Sequence, residues 1–279
     1  MAVLSIQSHV AYGHVGNAAA VFPLQRLGLE VWPVHTAMFS NHLGYPGFKG
    51  RALEADLVRD VVHGIAERGV LARCRAVLTG YLAEPALGAV ALEAVAAART
   101  ANPTALYACD PVIGDDGESY VRPGVAEFLR ERAVPAADLL LPNRYELGVL
   151  AGGDPVGEGA ILAAARALVA RGPRLVVVTS ADAGPDAIDV YAVTPAAAWR
   201  VRVPRLAVDV HGTGDAFAAI FLGRYLEKPE PPRALALAAG ALHGILRATP
   251  AAGGTEMALV AAQDEIAAPS RSFVASKVG

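Results

Sequence analysis

The sequence predicts an α/β fold, a mostly parallel sheet covered by helices on both faces. Two patterns carry this. Short runs of aliphatic and β-branched residues alternate with alanine-rich helical patterns along most of the chain. The runs are apolar at consecutive positions rather than at every second one, as strands buried on both faces of a parallel sheet require. Bulk composition agrees, since 279 residues at 54% hydrophobic content sustain a single large domain, 1–279, with an ample core.

The expected strands are 3–6, 31–36, 76–79, 106–109, 139–141, 175–179 and 188–193. Helical patterns lie between most of them, at 17–27, 53–67, 87–99, 125–132, 145–150 and 160–170. The runs 188–193 and 198–203, split by Thr194-Pro195, predict a hairpin late in the sheet. Three helices, 216–226, 233–247 and 256–267, close the chain. No run reaches the roughly 18 apolar residues of a membrane span, and the most apolar stretch, 234–246, sits between Arg233 and Arg247. That helix is expected to pack against the sheet. The N-terminus has no basic segment and meets Gln7, Ser8 and His9 at once, so it does not read as a secretory signal. Two cysteines without metal-ligand spacing suit a reducing cytoplasm. A net charge of −3 with no basic block argues against nucleic acid as a partner.

In doubly wound sheets ligands collect at the carboxyl ends of the strands, which directs attention to the residues just after each one. The first strand leads into Gln7-Ser8-His9, followed by Gly13, His14, Gly16 and Asn17. Ser8 can meet a polar substrate atom, while His9 and His14 read equally as loop or capping residues. The second leads into Phe39-Ser40-Asn41-His42-Leu43-Gly44-Tyr45, either a lid over a flat heterocycle or a surface loop. The third ends at Gly80-Tyr81. The fourth delivers Asp110 before Pro111, which reads as a turn-starting Asp or as a carboxylate facing a phosphate through Mg²⁺. Asn143 with Glu146 three residues later fits a capping box as well as a metal ligand. Thr179 and Ser180 offer two hydroxyls at a further strand end.

The sharpest motif is Gly212-Thr213-Gly214-Asp215, running into a helix with Phe217, Ile220, Phe221 and Tyr225 at helical spacing. Glycines permit close approach to a ligand, and a helix N-terminus presents unpaired N–H groups to an anion. Asp215 would repel a phosphate there. It fits if it takes a proton from a hydroxyl that attacks a phosphoryl group; the plainer reading is a capping Asp.

Taken in order, Ser8 to Asn17, Phe39-Ser40-Asn41-His42, Asn102-Pro103, Cys109-Asp110-Pro111-Val112, Pro142-Asn143-x-x-Glu146, Gly212-Thr213-Gly214-Asp215 and Ala262-Gln263-Asp264 resemble the pyridoxal kinases of the ribokinase-like superfamily. The resemblance spans essentially the whole chain. It implies a ribokinase-like three-layer α/β/α fold and ATP-dependent phosphorylation of the 5′-hydroxymethyl group of pyridoxal, pyridoxine or pyridoxamine. It implies Asp215 as the base, Gly212, Thr213 and Gly214 as the anion hole, and Ser8, Phe39, His42 and Tyr81 around the pyridine ring. Asp110, Asn143 and Glu146 would order Mg²⁺ and the phosphates, with Asp110 and Glu146 as the metal carboxylates. Thr179, Ser180 and Thr213 would meet ATP, with K⁺ nearby, and Tyr120 would gate the phosphate side. A cytoplasmic homodimer completes the expectation. One position departs: these kinases often carry a substrate-contacting threonine where this chain has Leu43. A lost hydroxyl contact shifts substrate preference roughly tenfold to a hundredfold. The segment 203–206 carries no residue-level assignment.

Three alternatives stand beside this. A hydroxymethylpyrimidine kinase or other ribokinase-like kinase is nearest. A dinucleotide- or methyl-donor-binding protein would need G-x-G-x-x-G after the first strand, where this chain has Gly13-His14-Val15-Gly16. A carrier of B6 vitamers would not need Asp215.

Overall fold

The computed structural model describes residues 1–115, 118–182, 184–249 and 255–279. The chain opens with β1 (Ala2–Val10), α1 (Asn17–Arg26), β2 (Glu30–Phe39), β3 (Gly50–Ala52) and α2 (Ala55–Glu67). Next come β4 (Cys74–Thr79), α3 (Pro85–Ala101), β5 (Leu106–Cys109) and the short hairpin β6 (Gly114–Asp115) and β7 (Glu118–Ser119). A helical stretch follows as α4 (Val125–Phe128), a π turn at Leu129–Ala133 and α5 (Val134–Ala136). Then come β8 (Leu139–Leu140), α6 (Arg144–Ala151), α7 (Glu158–Val169), β9 (Leu175–Asp182), β10 (Ala187–Val193) and β11 (Ala198–Pro204). The last elements are α8 (Thr213–Glu227), α9 (Pro231–Ala248), α10 (Gln263–Ala267) and β12 (Ser276–Val278).

One sheet runs in the order β12-β11-β10-β9-β8-β5-β4-β1-β2-β3. Its centre, β2-β1-β4-β5-β8-β9, is parallel, and β3, β10, β11 and β12 are antiparallel additions. Consecutive strand residues feed opposite layers, as the pleat requires. Leu4, Ile6, Val176 and Val178 join one core with Val58, Leu87, Leu147 and Ile161 of the helices on that face. Val3, Leu175 and Val177 join a second core with Leu24, Phe217, Phe221 and Leu235. The three layers expected from the strand pattern are present, and α9 packs on β10 and β11. No helix among the described residues is long and apolar enough to cross a membrane.

The chain leaves β1 toward β2 and returns on the other side of β1 as β4, so neighbouring loops diverge at the carboxyl end of β1 and open a crevice. Four features carry no sequence expectation: β3, the β6–β7 hairpin, the short 3₁₀ turn at Val70–Arg73 and β12. One expectation is corrected. The helix expected over 256–267 spans only Gln263–Ala267. Before it Met257, Ala258 and Leu259 are buried, and the Ala258 N–H donates to the Thr249 hydroxyl at 3.2 Å. Burial of this apolar turn against the core overrides its helical periodicity.

A buried asparagine sets the mouth of the crevice. Asn17, first residue of α1, accepts from the Ser5 hydroxyl at 2.7 Å. Its amide hydrogens are shared among the carbonyls of Ser5, Gln7 and Val34 and Nδ1 of His35, at 3.1–3.4 Å. It thereby pins the start of α1 to both β1 and β2. Asn17→Ala strands several buried polar groups and should cost about 2–4 kcal/mol. Urea unfolding measures this; a loss under about 1 kcal/mol would show that the network is not the anchor.

Candidate active site

The N-terminus of α8 is built on a close backbone approach. Gly212 is its N-cap at φ +77°, and a Cβ there would overlap the carbonyl oxygen of His14. Only glycine combines that φ with that contact. Because the cap position is Gly212, Asp215 lies in the first turn instead of capping it. Its carboxylate accepts from the Gly16 N–H, while burial pushes its pKa up from 3.8 to about 6. Gly16 has φ +54°, and a Cβ on it would overlap the carbonyl oxygen of Ser8 and lie 2.6 Å from its Oγ. Ser8, Gly16 and Asp215 are therefore one packed contact between β1, the loop after it and α8.

Asp110, at the end of β5, is buried, with its N–H bonded to the carbonyl of Thr79. Burial, then Glu146 and Asp215, hold its carboxyl well above the usual range. Glu146 is buried too, and its pKa is pushed up to about 8 despite three backbone donors. Those donors are Asn143 at 2.9 Å on Oε2, and Ile113 at 2.9 Å and Gly114 at 3.5 Å on Oε1. The Asn143 side chain accepts from the Glu146 N–H at 2.8 Å and donates to the Gly114 carbonyl at 2.8 Å. The capping box is thus real, and it also fastens the β6–β7 hairpin. Among the described residues no three carboxylate, imidazole or thiol groups are placed to hold a metal ion unaided.

Beside this cluster lies a cavity of about 310 Å³. Asn143, Thr179, Ser180, Thr213 and Gly214 form its polar wall. Its opposite wall includes Val190, Val203, Leu206 and Val210, with Leu242, His243 and Leu246 of α9. The segment 203–206, unassigned from sequence, is therefore cavity wall. Between the paired residues Val178 and Ala181 of β9 lie two residues, Thr179 and Ser180, opposite the single Val190 of β10, so an extra residue bulges there, with Ser180 at φ +54°. The bulge brings both hydroxyls to the cavity.

The other expected residues sit at or after the ends of β1, β2, β4 and β7 and do not line this cavity. Ser8 and His42 are buried, and Phe39 packs edge-on against Phe48 at 5.0 Å between centroids. Burial raises the Tyr81 phenol, whose hydroxyl lies 3.5 Å from the carbonyl of Tyr120. Tyr120 itself is exposed. It closes a loop whose residues Asp116 and Gly117 lie outside the described residues. Leu43 is 60% exposed, so its side chain adds no wall to the pocket.

Glu256, unnoticed in the sequence, joins these loops. Its Oε1 accepts from His42 Nε2 at 2.7 Å and from the Tyr45 hydroxyl at 2.8 Å, and its Oε2 from the His14 N–H at 2.9 Å. The His42 Nδ1 accepts from the Gly44 N–H at 3.1 Å, which places the ring proton on Nε2. Burial opposes ionisation of Glu256, but the Tyr45 and His42 hydrogen bonds outweigh it and hold the carboxyl below its usual range. The His42 ring also lies tilted at 44° against that of His211, beside Gly212, at 4.6 Å between centroids. A lone Glu ahead of an apolar run carries no sequence signal for such a role.

The phosphomethylpyrimidine kinase family matches residues 46–259 of the chain. A pyridoxal kinase (PdxY) of Rubrobacter xylanophilus is 50% identical over 99% of this chain and 97% of its own length. Another from Granulibacter bethesdensis is 46% identical over 99% of both chains. Among solved structures, the Leishmania donovani pyridoxal kinase in complex with ADP and pyridoxamine superposes with a TM-score of 0.94 at 30% identity, over 100% of this chain and 99% of that one.

The buried carboxylates oppose one another. Their raised pKa values mean the folded state holds protons that the unfolded chain releases, so the penalty grows as pH rises above the usual carboxylate range. Asp110→Asn should therefore be more stable than the parent at pH 8, with the gain shrinking toward pH 5. Urea unfolding at both pH values decides it, and an equal or negative difference at pH 8 refutes the repulsion.

Proposed function

We propose a division of labour for the site residues of this chain, which belongs to the pyridoxal kinases of the phosphomethylpyrimidine kinase family. The enzyme uses ATP to phosphorylate the 5′-hydroxymethyl group of B6 vitamers. The observation that carries the assignment of roles is Asp215, a carboxylate poised at about 6 in the first turn of α8, next to the cavity that Thr213 and Gly214 line.

An alcohol attacks poorly until its proton leaves, and a positioned base supplies about 10²–10⁴-fold. Asp215 takes that proton from the hydroxymethyl group, with Gly16 N–H holding the carboxylate in place. The N–H groups at Gly212–Gly214 face the transferring phosphoryl, where fixed dipoles stabilise developing charge without reorganisation. Thr179, Ser180, Thr213 and Asn143 hold phosphates and ribose along the polar wall, and the apolar wall of Val190, Val203 and Leu242 receives the base. Ser8 meets the pyridine ring, with Phe39, His42 and Tyr81 around it. Tyr120 covers the phosphate side.

The mutual repulsion of Asp110, Glu146 and Asp215 fits a divalent cation, which relieves it. Mg²⁺ binds through one or two carboxylates plus phosphate oxygens and water. Asp110 would hold it, and Glu146, whose carboxylate accepts from three N–H groups, would add negative charge for it beside Asp110. When bound, the ion supplies charge neutralisation at the phosphates. The same reading includes K⁺ near Thr179-Ser180 and a cytoplasmic homodimer. Buried, unpaired Cys74 and Cys109 suit the compartment.

Asp215→Ala should lower turnover at least 100-fold on pyridoxal, pyridoxine or pyridoxamine while ATP affinity stays within about threefold. A matching loss of ATP affinity would reject the base role. The assay runs hydroxymethylpyrimidine alongside, and turnover on that substrate alone would move the specificity to the pyrimidine.

A base must be ionised, so kcat/KM should fall about tenfold per pH unit below pH 6 once the vitamer's own ionisation is divided out. A flat profile from pH 5 to 7 would exclude a base poised near 6.

A further inference from the structure

We propose that Glu256 is a positioning residue that couples closure of the 40–49 loop over the vitamer to the shape of the anion hole at Gly212. The inference rests on the pyridoxal kinase reading and adds to it a residue that touches neither substrate.

Two routes lead from the one carboxylate to the same glycine. The first runs through the backbone of the loop after β1: Oε2 accepts from the His14 N–H at 2.9 Å, and the carbonyl of that residue is what Gly212 packs against. Holding the N–H of His14 fixes the peptide beside it and so limits where Gly212 can sit. The second runs through the lid. Oε1 holds His42 Nε2 at 2.7 Å and the Tyr45 hydroxyl at 2.8 Å. The His42 ring lies 4.6 Å from that of His211, and a Cβ on Gly44 would overlap His211 Nε2. Gly13 is packed equally tightly, since a Cβ on it would lie 2.8 Å from Glu256 Oε1. Lid, first loop and anion hole thus share a carboxylate from a fourth segment.

The arrangement also sets what His42 can do. The Gly44 N–H occupies Nδ1 and Glu256 occupies Nε2, so neither ring nitrogen is free for a substrate atom. Toward the heterocycle His42 therefore acts as a wall rather than a hydrogen-bonding group.

Glu256→Gln separates coupling from mere structure. The amide keeps the size but has one acceptor oxygen for three donors, and its NH₂ must face an N–H or O–H. We expect kcat/KM for the vitamer to fall at least tenfold, with KM for ATP within twofold and the melting temperature within a few degrees. Amide exchange read by NMR or mass spectrometry should rise at His14 and Gly44 together. The milder Tyr45→Phe, which removes one donor and keeps the carboxylate, should move vitamer kinetics in the same direction by a smaller factor and serves if Glu256→Gln does not fold. Exchange rising at His14 alone, or at neither amide, overturns the coupling. A lowered melting temperature with unchanged vitamer kinetics overturns it in favour of a purely structural role. The exchange arm needs no substrate, so a parent enzyme inert toward every vitamer would refute the kinase reading and leave the coupling to be decided by the amides.

Discussion

The site depends on two backbone contacts that only glycine allows. Gly16 lies against Ser8, and Gly212 lies against the carbonyl of His14. Together they press the loop after β1 onto the first turn of α8, and the Gly16 N–H reaches Asp215 as a result. Neither contact stands alone. Asn17 ties the far end of the loop to β1 and β2, and Glu256 ties its middle to the lid. The loop is thus held at three points, and the carboxylate assigned as base is oriented by backbone rather than by flexible side chains. A base oriented in this way keeps its reach for the hydroxyl proton without reorganising during the reaction.

Against that rigidity stands an electrostatic cost. Asp110, Glu146 and Asp215 are gathered where burial already disfavours charge, and the charges of Glu146 and Asp215 add to the cost at Asp110. A core chosen for stability would not collect them. Such frustration is expected where a protein trades stability for a site that completes itself on binding. Nucleotide phosphates alone would worsen the repulsion; phosphates accompanied by a divalent cation reverse it. In the proposed mechanism the cluster therefore favours the metal–nucleotide pair over either part.

The 40–49 loop is held differently. Its hydrogen bonds converge on Glu256, whose carboxylate is stabilised where the catalytic cluster is destabilised. The two regions differ in their donors: Glu256 faces His42, Tyr45 and the His14 N–H, while Asp110 faces other carboxylates. Leu43, 60% exposed in the same loop, takes no part in these hydrogen bonds.

Periodicity and turn chemistry make the parallel core strands, their helices and the glycine-bracketed start of α8 readable from the sequence, because those features depend on neighbours close in the chain. The motif residues were readable for a related reason, since each follows a strand and the fold class places strand ends together. What could not be read are features made by distant partners. The Thr179-Ser180 bulge exists because β9 and β10 pair out of step. The strand β12 forms by pairing with β11 more than 70 residues earlier. Residues 256–262 show helical periodicity, yet burial of Met257, Ala258 and Leu259 and the ties of the Glu256 side chain to His14 and His42 hold the segment in turns. Local pattern settled which residues stand at the sheet edge; long-range hydrogen bonds and close packing, whose free energy depends on groups far away in sequence, settled how they face one another.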